Sequence, residues 1–203
     1  MPLVLGIDPG SRQTGFGFLF VEAGAVAPRH VHSGVIRMSA PRLTQRLADI
    51  FTQLDRLIQE LKPSEVAVEQ VFMASNAASA LKLGQARGAA IVAAVQYGLP
   101  VYEYSAKQVK QAVVGFGGAD KHQMQLMMRH HLKLDRLPQS DEADALGVAW
   151  CHSQTRGSPL LSESSLISDC TTGRAEGDEA GGAVGFSKAR SRRRGWRAYR
   201  PPT

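Results

Sequence analysis

The chain has 203 residues, 43% of them hydrophobic, enough for one buried core of the usual domain size of about 100–150 residues plus a tail. Met1 to Gly10 lacks a basic start and is broken by Pro9 and Gly10, and no apolar run approaches the ~20 residues that cross a bilayer, so a cytoplasmic protein with no membrane contact is expected. The formal charge of +6 is uneven: residues 1–152 hold 15 Lys and Arg against 13 Asp and Glu, while 153–203 hold 9 against 5, so charge alone supports nucleic-acid binding by the folded part only weakly.

In chain order, Leu3 to Asp8, Gly15 to Glu22 and Val31 to Met38 are short apolar runs with β-branched or aromatic residues, separated by Pro, Gly and Ser. They predict three consecutive strands. Pro41 suits a first helical turn, and Leu43, Leu47, Ile50, Phe51, Leu54, Leu57, Ile58 and Leu61 form one apolar stripe at spacings of three and four, closed by Pro63. Glu65 to Gln70 reads as a short strand, Ala77 to Tyr97 as an Ala-rich helix and Pro100 to Tyr104 as another strand. Two or three helices follow. Asp120 with Gln123 is a capping pattern for a helix to about Leu132, and Ser140 precedes a last helix to about Cys151. Strands bracketed by helices define an α/β layered sheet, expected over residues 1–155.

From about residue 156 to 203, Ser, Gly, Thr and Glu dominate and periodicity disappears, so a disordered tail is expected. It ends in Lys188, Arg190, Arg192, Arg193, Arg194, Arg197 and Arg200, which suits a solvated tail or loose contact with phosphates. The two cysteines, Cys151 and Cys170, do not make a disulfide framework and fit reduced thiols.

The chemistry lies in carboxylates. Asp8 ends the apolar strand Leu3 to Ile7 and precedes Pro9-Gly10-Ser11; at the carboxyl end of a sheet strand it faces the crevice where open α/β sheets bind ligands, or else it caps the turn. Glu69 repeats the pattern after Val66-Ala67-Val68. Two acids brought together repel and call for a cation, and donors that are all oxygen point to Mg²⁺ or Mn²⁺ rather than zinc. Asp141 and Asp144 are three residues apart on one helix face, with Glu142 turned aside; as simple caps they would each contribute about 0.3–1 kcal/mol. Four acids from three elements suit phosphodiester hydrolysis with two ions about 3.5–4 Å apart. Ser11, Ser33 and the histidines form no triad pattern, and His130 and His131, adjacent on a helix, read as surface or DNA-facing residues.

The strings Leu5-Gly-Ile-Asp-Pro-Gly-Ser11 with Thr14-Gly15, Val68-Glu-Gln-Val-Phe72, Ala80-Leu-Lys-Leu-Gly-Gln-Ala-Arg-Gly88, Val109-Lys-Gln with Val113-Val-Gly115, and Asp141-Glu-Ala-Asp-Ala145 resemble, in order and spacing, the RuvC family of Holliday-junction resolvases. The resemblance covers roughly residues 2–152. It implies a ribonuclease H-like mixed sheet flanked by helices, a homodimer, Mg²⁺, and paired symmetric nicks across a four-way DNA junction in partnership with RuvA and RuvB. It further implies metal ligation by Asp8, Glu69, Asp141 and Asp144, stacking of Phe72 on bases near the crossover, and contact of Lys110 and Lys121 with phosphates. An exposed aromatic stacked on a base is worth about 1–3 kcal/mol; from residue type alone Phe72 is equally a core residue. Ala77, Ala80, Leu81, Gly84, Gly88 and Ile91 make a small-residue face that either packs closely inside the monomer or forms a dimer seam; the resemblance implies the seam.

Rival readings are another ribonuclease H-like nuclease acting on RNA or other branched or damaged DNA, an actin-like ATPase, and a non-catalytic DNA-binding module. Pro9 removes a backbone donor from the first turn and no second Gly-rich phosphate loop follows, which disfavours the ATPase. A binding module would not need four convergent acids.

Overall fold

The computed structural model describes residues 2–22, 24, 27–70, 76–156 and 166–168, the last three as backbone. Strands β1 (Leu3–Asp8), β2 (Gln13–Phe20), β3 (Arg29–Arg37), β4 (Glu65–Glu69), β5 (Val101–Tyr104) and β6 (Leu166–Ser168) form one mixed sheet in the order β3-β2-β1-β4-β5-β6. β1, β4 and β5 run parallel, and β2, β3 and β6 are antiparallel to their neighbours. The helices are α1 (Leu43–Leu61), α2 (Ala77–Val95), α3 (Ala106–Val114), α4 (Lys121–Leu132) and α5 (Ser140–Thr155).

The two-residue alternation of the strands assigns each side chain to a layer. Leu5 and Ile7 of β1, Phe16 and Phe18 of β2, and Val66 and Val68 of β4 join Ile50, Leu54 and Ile58 of α1 and Ala86 and Ala90 of α2 in one core. Val4, Leu19, Ala67 and Tyr104 point the other way and pack with α3, α4 and α5 through Val109, Val113, Met124, Met128 and Leu146. Asp8 is in phase with Val4, and Glu69 with Ala67, so both carboxylates lie on the α5 side of the sheet.

α5 sits close to the sheet because glycines line its bed. An ideal Cβ on Gly6 would come within 2.7 Å of Ala149 N, one on Gly17 within 2.6 Å of Leu146 Cδ2, and one on Gly15 would overlap the carbonyl of Asp141. Backbone approach of this kind is open only to glycine.

Several boundaries differ from the sequence expectations. α3 is a separate helix with a full Ser105/Gln108 capping box, and the expected Asp120/Gln123 box opens α4. α5 is capped by Gln139, not Ser140, and runs on to Thr155. Arg156 donates to Glu65 through Nε and Nη2 at 2.6–2.9 Å, which ties the first residue assigned to the tail to β4. Leu166–Ser168, inside the segment expected to carry no element, pairs with β5. A three-residue strand is too short to show periodicity, and it covers a sheet edge that would otherwise offer unpaired backbone groups. The remaining tail residues, the basic end included, lie outside the described residues, as does Phe72. No helix among the described residues is long and apolar enough to cross a membrane.

Candidate metal centre and nucleic-acid cleft

Parallel pairing of β1 with β4 places Ile7 beside Val68, so the next residues, Asp8 and Glu69, stand side by side at the carboxyl ends of adjacent strands. The turn after Asp8 is fixed by Thr14, fully buried, whose Oγ1 accepts from Gly10 N at 3.3 Å and donates to Gly10 O at 3.1 Å. The first turn of α5 crosses this end of the sheet. Asp8, Asp141 and Asp144 each present a carboxylate oxygen, and these oxygens lie within 4.8 Å of one another. Asp8, Glu69 and Asp144 also line a cleft of about 400 Å³ with Lys110 of α3, Lys121 at the start of α4, and the apolar Leu83, Val109 and Met124.

The electrostatics show how crowded the charges are. The Asp8 carboxyl is held well above its ordinary range, first by burial and then by the charges of Glu69, Asp144 and Asp141. Glu69 is raised by burial and by Asp144, against a hydrogen bond from Asp8 and the charges of Lys110 and Lys121, which pull it down. Asp144 is raised by burial and Asp141 and lowered by both lysines. Oxygen donors packed this closely repel unless protonated or joined by a cation. A donor set made of carboxylates alone fits a hard divalent ion.

Of the residues singled out in the sequence, the fold thus brings together Asp8, Asp141 and Asp144, sets Glu69 against Asp8, and places Lys110 and Lys121 in the same cleft. The histidine expectation needs correction. His131 is not a free surface group: its ring stacks on Trp150 at 4.6 Å and its Nε2 lies 2.9 Å from Val113 O, since the α4 face that carries it packs on α5. His130, its neighbour, is exposed.

Glu142 is turned aside from the acids, as expected, and is itself buried, with 1% of its surface exposed. Its signal was readable as the N3 acid of a capping box that begins at Gln139.

Acids at the ends of two adjacent parallel strands and on the helix that crosses them, facing two lysines across a cleft, define a ribonuclease H-like α/β protein with an acidic centre. The family model described as "Crossover junction endodeoxyribonuclease RuvC" matches residues 4–152, and the chain belongs to that family. It is 56% identical over 156 residues to the protein of that name from Tolumonas auensis, covering 77% of this chain and 89% of the relative. The Marinobacter nauticus protein is 54% identical over 160 residues, with 79% and 90% covered. Among solved structures, Thermus thermophilus RuvC in complex with Holliday junction substrate is 38% identical with a TM-score of 0.70, covering 75% of this chain and 93% of that one. The yeast mitochondrial Holliday junction resolvase Ydc2, 16% identical with a TM-score of 0.55 over 75% of this chain and 78% of its own, shares the fold.

Proposed function

We propose that this protein is a structure-selective endodeoxyribonuclease that resolves Holliday junctions by paired, symmetric, metal-dependent nicks in DNA recombination and repair. The observation that carries the reading is the meeting of Asp8, Asp141 and Asp144 oxygens within 4.8 Å, in a family whose relatives are named for this activity. Bound at these carboxylates, Mg²⁺ or Mn²⁺, as two ions, would supply neutralisation of phosphate charge and a lowered pKa for bound water. Asp8, Glu69, Asp141 and Asp144 hold that charge at the strand ends. Lys110 and Lys121 pair with phosphates flanking the scissile bond and fix the strand in the cleft, while Leu83, Val109 and Met124 keep bulk water from its floor. Phe72 stacks on a base near the crossover.

Two-fold symmetric cutting requires two sites. We assign the seam to α2, where Leu81 is 70% and Val92 53% exposed and, among the described residues, nothing lies within 4 Å of a Cβ built on Gly84 or Gly88. Ile91, at one edge of the stripe, packs against the monomer's own core, while Leu81, Gly84, Gly88 and Val92 are left for a second copy to cover. RuvA and RuvB are the partners implied by the family.

Single neutral variants test the centre. Asp8→Asn, Glu69→Gln, Asp141→Asn and Asp144→Asn are each expected to lose cutting by at least about a hundredfold while junction binding, set by the lysines and the surface, is retained. Near-normal cutting by any two of them would remove the proposed centre.

A further inference from the structure

Glu142 is a buried carboxylate that contributes no oxygen to the acidic centre, although it stands between two residues that do. It accepts from Arg136 Nη2 at 2.7 Å and Nη1 at 2.9 Å, from Ser33 Oγ at 2.7 Å and from Gln139 N at 3.0 Å. Ser33 lies on β3 and is met by His30 Nε2 at 2.8 Å. One side chain thus joins β3, the α4–α5 loop and the cap of α5.

We propose that Glu142 is a positioning residue that holds the first turn of α5 in place, so that Asp141 and Asp144 stay beside Asp8 before any cation arrives. The inference rests on the reading of those three acids as metal ligands. Successive helical residues are rotated by about 100°, so Glu142 faces away from the centre while Asp141 and Asp144 face it. On the inner side the turn rests on Gly15, against the Asp141 carbonyl. Mutual repulsion of the acids tends to lift α5 from the strand ends. The Glu142 bonds to β3 and Arg136 oppose that movement from the far side of the helix, where burial makes an unpaired carboxylate costly and hence the paired arrangement well defined.

The test is Mn²⁺ binding to the full chain without DNA, followed by electron paramagnetic resonance, for Glu142→Ala, Glu142→Gln, Ser33→Ala and Asp8→Asn. Ile58→Ala, buried in the opposite core layer, serves as a control for general loss of stability. Removing supports behind metal ligands costs about 10- to 100-fold in affinity, so Glu142→Ala is expected to weaken Mn²⁺ at least about tenfold, and Ser33→Ala by less. Ile58→Ala should leave affinity unchanged at a temperature where it is folded, and added Mg²⁺ should restore cutting to Glu142→Ala but not to Asp8→Asn. Glu142→Gln keeps an acceptor and should fall between wild type and Ala. If Glu142→Ala fails to fold, Ser33→Ala, which removes only the hydroxyl bonds to Glu142 and His30, decides. Wild-type Mn²⁺ affinity in the Glu142 and Ser33 variants, with affinity lost in Asp8→Asn, would overturn the positioning role. So would a Gln variant as defective as Asp8→Asn, since Glu142 would then act by its charge. Unchanged affinity in Asp8→Asn would instead overturn the reading of the centre.

Discussion

Asp8 and Glu65 show two opposite fates of a carboxylate on the same face of the sheet. Burial and three neighbouring acids raise Asp8, so its charged form is disfavoured in the fold and weakens the metal-free protein at neutral pH. Asp8→Asn should therefore stabilise the protein in EDTA by about 0.5–2 kcal/mol while it abolishes cutting, the trade common at active sites; thermal melting reads the gain, and a lower melting temperature would count against the crowded-charge description. Glu65 is partly desolvated by burial, which raises it, but hydrogen bonds from His152 and Arg156 prevail and hold it down at about 2. The sign follows from linkage: a depressed carboxylate adds stability above its unfolded value of about 4.5 and loses it as pH falls toward about 2. Glu65→Gln should thus cost about 1.5–3 kcal/mol at pH 7, and the gap to wild type should close between pH 4.5 and 2 in acid melts.

At the scale of elements, α5 and β4 act as a matched pair. Glu65 and Glu69 are four strand residues apart, roughly 13 Å, and Asp144 and His152 are eight helical residues apart, roughly 12 Å. The helix consequently meets the acidic end of β4 near its start and the Glu65 end near its finish, where His152 Nε2 lies 2.8 Å from Glu65 Oε2. Glycines in β1 and β2 set the depth of that crossing. Gly15→Ala would force the Asp141 carbonyl away, with an overpacking cost of about 1–3 kcal/mol and loss of most cutting. A folded Gly15→Ala protein that cuts normally would show that the depth of α5 is not critical.

Much of this molecule was legible along the chain because its signals are local. Strand alternation, the α1 stripe and the Asp120/Gln123 box mark the elements, and an acid after an apolar strand marks a site. What was not legible depends on distant partners. Glu142 is buried because Ser33, 109 residues away in sequence, faces it, and His131 is held because Trp150 stacks on it. The tie of Arg156 to the sheet was hidden for a similar reason: it has no pattern of its own, and its ion pair with Glu65 spans 91 positions. The described residues then read as a sheet that gathers its acids at one end and seals the other with the Glu65 network. The measurement that bears most directly on its activity is cutting of a synthetic four-way junction, a linear duplex and an RNA–DNA hybrid by the purified protein, with and without Mg²⁺. Paired nicks in the junction alone, and only with Mg²⁺, are expected; equal cutting of the duplex or hybrid, or cutting that persists in EDTA, would contradict a metal-dependent junction resolvase.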